Sequence, residues 1–380
     1  MIYFDHNATT AAAPEVIEAM MPFLTDSYGN PSSAHGFGRA AREAVDNARL
    51  HVAEFLNAKP AEIVFTSSGT ESDNWAIIGG LASRPEQNNV VTTRIEHEAV
   101  RNVCAQLEKT GVRVTWLEVN EDGSIDLDML RGSLTKDTAL VSIMYANNET
   151  GILFPIYEIA DIIKEHSNAI FHVDAVNAAG KVSIDLENST IDLLSISAHK
   201  FHGPKGIGAL YVRNGLSLKP YLIGGGQERQ LRAGTEAVPQ IVGFGEAARL
   251  AADISGLIKV DALRNDLEKG ILDTIPNAFL NGTNDRRFRL PNTSNISFEN
   301  TNGEAILARL DDLGVCVSTG SACNSSRRTA SPVLQAMNIP YSRSMGSIRF
   351  SLGRYNTREE VAFVLENLPR IVTELHSTAV

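Results

Sequence analysis

The strongest constraint on the fold is an alternation of two hydrophobic patterns between residues 62 and 212. Short runs of β-branched and apolar residues alternate with longer segments whose apolar residues recur at helical spacing. The apolar runs are EIVFT, NVVTTR, VRVTWLEV, ALVSIMYA, AIFHVDAV, DLLSISA and GIGALYVR. This alternation predicts an α/β fold with a seven-stranded, mostly parallel sheet covered by helices on both faces. Functional residues of such folds lie at the carboxyl ends of the strands.

The pattern changes after about residue 235. Two long helical segments precede a few short strands, such as SNISF and SIRFSLG, and a last helix, REEVAFVLENLPRIVTEL. This pattern is typical of a smaller α+β domain, and 380 residues suffice for two domains. We expect a large domain of residues 16–240 and a small domain of residues 1–15 plus 241–380.

Composition excludes several classes of function. Hydrophobic residues make up 43% and charged residues 21%, as in ordinary soluble globular proteins. A net charge of −11 argues against direct nucleic-acid binding, and no apolar run is long enough to span a membrane. The absence of a charged-then-apolar leader favours the cytoplasm. Cys104, Cys316 and Cys323 form an odd set without CxxC spacing, so we expect free thiols and no metal site.

A lysine follows the sixth apolar run, in SISAHKFHGPKG. Ser197, His199 and Lys200 should lie at the carboxyl end of a buried strand, where a lysine is costly to bury. One interpretation is a lysine in a surface loop. The other is a lysine with a depressed pKa that forms a Schiff base with a carbonyl, most often that of pyridoxal phosphate.

Pyridoxal phosphate requires an acidic partner for its ring nitrogen and a helix N-terminus for its phosphate. Asp174 ends the strand AIFHVD, although an Asp in this position is also a common helix cap. Gly69 and Thr70 open a helix after the strand ending in FTSS, where T-x-x-D also matches a capping box. Ser197 would add a second hydroxyl for the phosphate. A cofactor site therefore demands residues that the chain supplies at successive strand ends.

Two further polar residues follow predicted strands. His97, in TRIEHEAV, would offer a flat neighbour for the cofactor ring, or would be an ordinary structural histidine. Asn148, in YANNETG, would bond the ring hydroxyl, or would serve only the turn. Each residue alone is weakly specific, but their joint placement at one edge of a sheet favours the cofactor site.

A cysteine near the C-terminus lies in hydrophilic surroundings. Cys323 occurs in STGSACNSSRRTASP, beside Arg327 and Arg328, whereas cysteine is usually buried. Either its exposure is an accident of a surface loop, or this thiol must move to meet a substrate or a partner.

The motifs together resemble the cysteine desulfurases of the class-V aminotransferase family, from about residue 3 to residue 365. The motifs are FDHNATT, SYGNPSSAH, TSSGTESDN, EHEAV, NNETG, HVDAV, SAHKFHGPKG, GGGQERQLRAGT, STGSAC and SIRFSLGR. The resemblance is to the branch that serves nitrogenase maturation and iron–sulfur assembly, in its long-loop class. It implies a fold-type-I pyridoxal-phosphate enzyme that forms a homodimer with active sites at the subunit interface.

The resemblance also assigns roles to residues. Lys200 would hold pyridoxal 5′-phosphate covalently, while His97 stacks on the ring and Asp174 pairs with its nitrogen. The other cofactor contacts would come from both subunits. Thr235 would reach the phosphate from the partner subunit. The remaining contacts would be Gly69, Thr70, Asn148, Asn177, Ser197 and His199. Relatives commonly have Gln at the position of Asn177. Arg349, assisted by Asn30, would bind the substrate carboxylate.

The implied reaction converts L-cysteine to L-alanine and leaves the sulfur as a persulfide on Cys323. A mobile segment of about residues 320–332 would carry this sulfur to a protein acceptor in iron–sulfur assembly, thiolation or phosphorothioation. The residues after Cys323, NSSRRTASP, depart from the usual TSGSLEPS, and Arg327 and Arg328 suggest a partner contact. A selenocysteine lyase or another fold-type-I enzyme would not require Cys323, and a catalytically silent binding scaffold would not hold the cofactor.

Overall fold

The computed structural model describes residues 1–319 and 330–378. The elements of the first half are β1 (Ile2–Tyr3), α1 (Pro14–Thr25), α2 (Gly36–Phe55), β2 (Ile63–Thr66), α3 (Gly69–Ala82), β3 (Asn89–Thr93), α4 (Glu98–Lys109), β4 (Arg113–Leu117), α5 (Leu127–Ser133), β5 (Thr138–Met144), α6 (Ile156–His166), β6 (Ile170–Asp174), β7 (Leu193–Ser197) and β8 (Gly208–Val212). Those of the second half are α7 (Val238–Ala251), α8 (Gly256–Thr274), β9 (Ala278–Leu280), β10 (Thr293–Phe298), α9 (Gly303–Asp312), β11 (Val315–Cys316), α10 (Pro332–Ala336), α11 (Tyr341–Ser344), β12 (Ser347–Ser351) and α12 (Arg358–Thr378).

The central sheet confirms the predicted seven strands, in the order β2-β8-β7-β6-β5-β3-β4. Strand β8 runs antiparallel to β2 and β7, and the other neighbours are parallel. Every residue of β5, β6 and β7 is buried, as expected for strands covered on both faces, whereas the edge strand β4 is partly exposed.

The parallel strands bring their carboxyl ends to one edge. In the register of the sheet, Met144 at the end of β5 is paired with Asp174, and Asp174 is paired with Ser195 of β7. The segments that follow β2, β3, β5, β6 and β7 therefore start from the same edge, where the sequence predicts the cofactor site.

The described residues form three hydrophobic cores. The larger core covers one face of the central sheet, and a core around Trp75 and Ile77 of α3 covers the other face. The smaller core lies between α8, α12 and the antiparallel sheet β12-β10-β9. Phe4 joins the smaller core, and β1 pairs with β11. Cys104 is buried in α4 and Cys316 is half-buried in β11. In residues 1–319 and 330–378, no helix is long and apolar enough to cross a membrane.

Helix α7 packs with the larger core. Phe244, Ala248 and Ala251 belong to that core. The reason is a close approach to α2, since a Cβ on Gly245 would lie 2.6 Å from the Cα of Ala48. The chain therefore passes from the larger core to the smaller core after α7. The division into two domains remains a prediction.

Candidate active site

A cavity of about 510 Å³ opens at the carboxyl edge of the central sheet. Of the predicted cofactor contacts, all except Thr235 line it. The lining residues are Ala8, Thr9, Ser67, Ser68, Gly69, Thr70, Asp73, His97, Met144, Ala146, Asn148, Asp174, Val176, Asn177, Ser197, His199, Lys200, Lys205 and Gly206.

Lys200 ends a short 3₁₀ turn, Ala198–Lys200, directly after β7. Its Nζ donates hydrogen bonds to the carbonyl oxygen of Asn7 at 2.5 Å and to that of Ala8 at 3.2 Å. The N-terminal segment therefore forms one wall of the site and holds the amine at the cavity. Spacing along the chain gave no indication of this contact, since Asn7 and Lys200 are 193 residues apart.

Asp174 is the buried last residue of β6. Its Oδ1 accepts a hydrogen bond from the backbone N–H of Val176 at 2.9 Å. Burial raises the pKa of this carboxyl, while His97 and Lys200 act in the opposite direction. A buried carboxylate requires a positive or protonated partner, and a protonated ring nitrogen in the cavity would be one.

His97 both caps a helix and lines the cavity. Its Nδ1 accepts a hydrogen bond from the N–H of Ala99 at 3.1 Å, so Nε2 carries the proton of the neutral ring. Burial lowers the pKa of His97, Asp174 raises it, and Lys200 lowers it further. The two interpretations of this residue are therefore compatible.

The N-terminus of α3 faces the cavity with its first turn. Ser68 caps the helix by accepting a hydrogen bond from the N–H of Glu71 at 3.1 Å, and Gly69 and Thr70 follow. The first N–H groups of a helix have no partner within it, and the helix dipole favours an anion there. A Cβ on Gly69 would lie 2.6 Å from Cγ2 of Val176, so glycine permits this close approach.

Ser197, His199 and Lys205 add polar groups to the cavity. The Nδ1 of His199 lies 3.1 Å from the hydroxyl of Thr9. Burial lowers the pKa of His199 to about 4, and Lys200 contributes to this shift. His199 is therefore neutral at physiological pH, and a hydrogen bond from it to a phosphate would come from an uncharged ring.

Asn177, which lines the cavity, has a buried donor without a partner among the described residues. Its Oδ1 accepts a hydrogen bond from Nζ of Lys181 at 2.9 Å, whereas its buried Nδ2 has no partner among the described residues. A buried donor without a partner is costly, so an acceptor on a bound group would stabilise the site. Together with Lys200, Asp174 and the α3 N-terminus, this orphaned amide fits the carbonyl, ring nitrogen, ring oxygen and phosphate of pyridoxal phosphate.

Arg349 lies beside the cavity, in β12. Its Nη2 donates to Oδ1 of Asp5 at 2.6 Å, and its Nη1 donates to the carbonyl oxygen of Asn148 at 3.0 Å. The buried Nε has no partner among the described residues. The guanidinium is thus anchored by two of its five N–H donors, which leaves others for a carboxylate. The role of Asp5 as an anchor was not predicted.

Two of the predicted residues, Thr235 and Asn30, do not line the cavity of the chain. Thr235 is exposed in the segment before α7. Asn30 is exposed as well, and its Oδ1 accepts a hydrogen bond from the N–H of Ser32 at 2.9 Å. Cys323, Arg327 and Arg328 lie outside the described residues.

A buried polar cluster, which the sequence did not reveal, lies beneath Asp174. His172 of β6 bonds through its two ring nitrogens to the hydroxyls of Ser142 and Ser195, each at 2.9 Å. Burial and the neighbouring Asp174 raise the pKa of Asp73, and burial raises that of Glu96 to about 8. Burial disfavours ionisation of all three carboxyls, and the charge of Asp174 raises the pKa of both Asp73 and Glu96 further.

Comparison with known proteins identifies the family to which this site belongs. The sequence pattern of the family described as Aminotransferase class-V matches residues 2–364. The cysteine desulfurase of Trichormus azollae is 55% identical over 379 residues, covering 99% of this chain and 94% of the relative. The chain belongs to the class-V aminotransferase family, in its cysteine desulfurase group.

Solved structures of cysteine desulfurase relatives share the whole fold. A structure titled NIFS-LIKE PROTEIN superposes with a TM-score of 0.92 at 39% identity, covering 98% of this chain and all of that one. A structure titled SspA in complex with cysteine gives a TM-score of 0.82 at 36% identity, covering 94% of this chain and all of that one. The group depends on pyridoxal phosphate, which confirms the cofactor and the fold type predicted from the sequence.

Proposed function

We propose that the chain removes sulfur from L-cysteine, releases L-alanine and passes the sulfur to a protein acceptor through a persulfide on Cys323. The observation that carries this function is the cavity that unites Lys200, Asp174 and the orphaned amide of Asn177. The comparisons support the substrate, since the relatives are cysteine desulfurases and the SspA structure holds cysteine.

Different residues of the cavity would contact different groups of the cofactor. Lys200 would bond to the aldehyde carbon, Asp174 would hold a proton on the ring nitrogen, and His97 would lie against the ring. Asn148 and Asn177 would contact the ring oxygen. Gly69 and Thr70, in the first turn of α3, would contact the phosphate. Ser197, at the end of β7, and His199, just after it, would contact it as well. When bound, pyridoxal phosphate serves as an electron sink for the substrate carbon next to the amine.

The chain itself would then move protons and sulfur. Released from the cofactor, the Lys200 amine takes the proton from the α-carbon of the substrate and later returns a proton. The thiolate of Cys323 attacks the substrate sulfur, the carbon–sulfur bond breaks with its electrons passing to carbon, and a sulfur–sulfur bond remains on Cys323. His97, with its Nε2 proton, is placed to exchange a proton with the substrate sulfur.

Substrate orientation would depend on Arg349. The ion pair with Asp5 and the bond to Asn148 fix the guanidinium plane, and its remaining N–H groups would bind the carboxylate. Asn30 would assist at the same carboxylate.

We also propose a homodimer in the cytoplasm. Thr235 is exposed outside the cavity of its own chain, which suits a contact to the phosphate of a partner subunit. A cytoplasmic reducing environment would keep Cys323 available as a thiol. Arg327 and Arg328 would contact the protein that accepts the sulfur.

The function is tested by incubating the purified chain with L-cysteine. We expect alanine and thiol-reducible sulfur in equal amounts, with the sulfur recovered on Cys323 by peptide mass analysis. Turnover of L-selenocysteine alone would favour a selenocysteine lyase. A colourless preparation that borohydride does not modify would contradict the enzyme and favour a binding scaffold.

Replacing Asp174 by asparagine tests the role of its negative charge, because the two side chains have nearly the same shape. In Asp174→Asn the side chain keeps an oxygen for the N–H of Val176 but cannot hold a proton on the ring nitrogen, so we expect alanine formation to fall by about 10²–10⁴-fold. Steady-state rates with saturating cofactor measure the effect. Asp192→Asn is the matched control, because Asp192 accepts the N–H of Phe171, a residue of the same strand β6, at 2.9 Å. Equal losses in both variants would contradict a specific role for Asp174.

A further inference from the structure

A second lysine, Lys181, lies buried behind the cavity. Its Nζ donates to Oδ1 of Asn177 at 2.9 Å, to the carbonyl oxygen of Asn177 at 2.9 Å, and to Oδ1 of Asn7 at 3.1 Å. These three neutral oxygens match the three donors of an ammonium group. A buried cation held only by amide oxygens is costly, which calls for a functional explanation.

The backbone between Asn177 and Lys181 is shaped for this contact. Gly180 adopts a φ of +75°, a conformation that favours glycine, and a Cβ there would lie 2.6 Å from Cβ of Phe201. The N–H of Lys181 closes the turn by donating to the carbonyl oxygen of Ala178 at 2.9 Å. The chain thereby folds back so that Lys181 meets the side chain of the residue four positions earlier.

Lys181 determines which end of the Asn177 amide faces its Nζ. In its ammonium form Lys181 donates hydrogen bonds and accepts none, so the amide atom next to Nζ is then Oδ1 and not Nδ2. The same constraint leaves Nδ2 as the orphaned donor of a side chain that lines the cavity. Without Lys181, nothing in these contacts would distinguish the two orientations of the amide.

Lys181 and Lys200 share Asn7 as a partner. Lys181 bonds to the side-chain oxygen of Asn7, and Lys200 bonds to its backbone oxygen. The side-chain Nδ2 of Asn7 donates to the carbonyl oxygen of Asn148 at 3.1 Å, and Asn148 also lines the cavity. Lys181 is thus linked to three of the groups that surround the proposed cofactor. Burial lowers the pKa of Lys181 well below its usual value, and Lys200 and Arg349 lower it further.

We propose that Lys181 is a positioning residue that orients the Asn177 amide with its donor toward the cofactor's ring oxygen. This inference rests on the proposed cofactor contact of Asn177. Lys181 itself touches neither the cofactor nor the substrate in this assignment.

The test uses the cofactor-loaded protein and its visible absorption band. The band changes with protonation of the nitrogen that links Lys200 to the cofactor, and a donor at the ring oxygen disfavours the protonated form. In Lys181→Met, the midpoint of the pH titration should rise by about one unit, the effect of losing roughly one hydrogen bond to a charged oxygen. Asn177→Leu, which leaves the Lys181 charge in place, should produce the same rise.

The double variant distinguishes positioning from charge. If Lys181 acts through Asn177, Lys181→Met with Asn177→Leu should titrate within about 0.3 units of Asn177→Leu alone. A shift equal to the sum of the two single shifts would overturn the proposal, as would an unchanged midpoint in either single variant. Lys109→Met, at the exposed end of α4, is the matched control and should titrate like the unmodified protein.

Two outcomes distinguish a positioning role of Lys181 from a purely structural role and from a failure of the proposed cofactor site. Lower thermal stability of Lys181→Met without a shift in the midpoint would show a merely structural lysine and overturn it. If the unmodified protein itself shows no visible band, the proposed cofactor site is at fault, and Asn177 has no ring oxygen to meet.

Discussion

Lys200→Ala is expected to abolish the covalent link to pyridoxal phosphate and to lower alanine formation from L-cysteine by about 10⁴-fold. The reason is that Lys200 is the amine held at the cavity mouth by the carbonyl oxygens of Asn7 and Ala8. Alanine has neither a nucleophile for the aldehyde nor a base for the α-proton. Borohydride reduction followed by peptide mass analysis measures the link, and steady-state assays measure the rate.

The interpretation of Lys200→Ala requires a comparison at another lysine. Lys109→Ala removes an exposed amine at the end of α4 and should leave both measurements unchanged. Cofactor trapped by borohydride at another lysine of the Lys200→Ala protein, together with a normal rate, would refute the assignment.

The site residues that were best predicted from the sequence are those that lie at the end of a strand or just after it. Asp174, His97 and Lys200 each end or follow a parallel strand, so the hydrophobic pattern alone brings them to one edge. Such residues require only the correct fold class and strand boundaries.

Residues that support the site from distant segments were not predictable in this way. Asp5 meets Arg349 across 344 residues, and Asn7 meets Lys200 across 193 residues. No periodicity or short spacing encodes contacts between such distant segments. Lys181 is closer in sequence to its partner Asn177, but its burial depends on the turn at Gly180 and on Asn7, which only the folded chain shows.

The described residues before and after positions 320–329 belong to different cores. Val317, before the segment, belongs to the smaller core, and Val333, after it, belongs to the larger core. The backbone of Ser318 bonds with that of Arg349, and the hydroxyl of Ser331 donates to Glu149 at 2.5 Å, next to Asn148 of the cavity. Ser318 and Ser331, which flank the positions around Cys323, are therefore held near the cavity.

The second large effect is expected for the variant Cys323→Ala. We expect no persulfide on the protein and alanine formation lowered by about 10²-fold or more, because the substrate sulfur loses its acceptor. The visible band should persist, since no cofactor contact is removed. Cys316→Ala, in half-buried β11, is the matched control and should retain the persulfide. Persulfide recovered in full from Cys323→Ala would show that another group accepts the sulfur, and would favour the enzymes of this fold that need no such thiol.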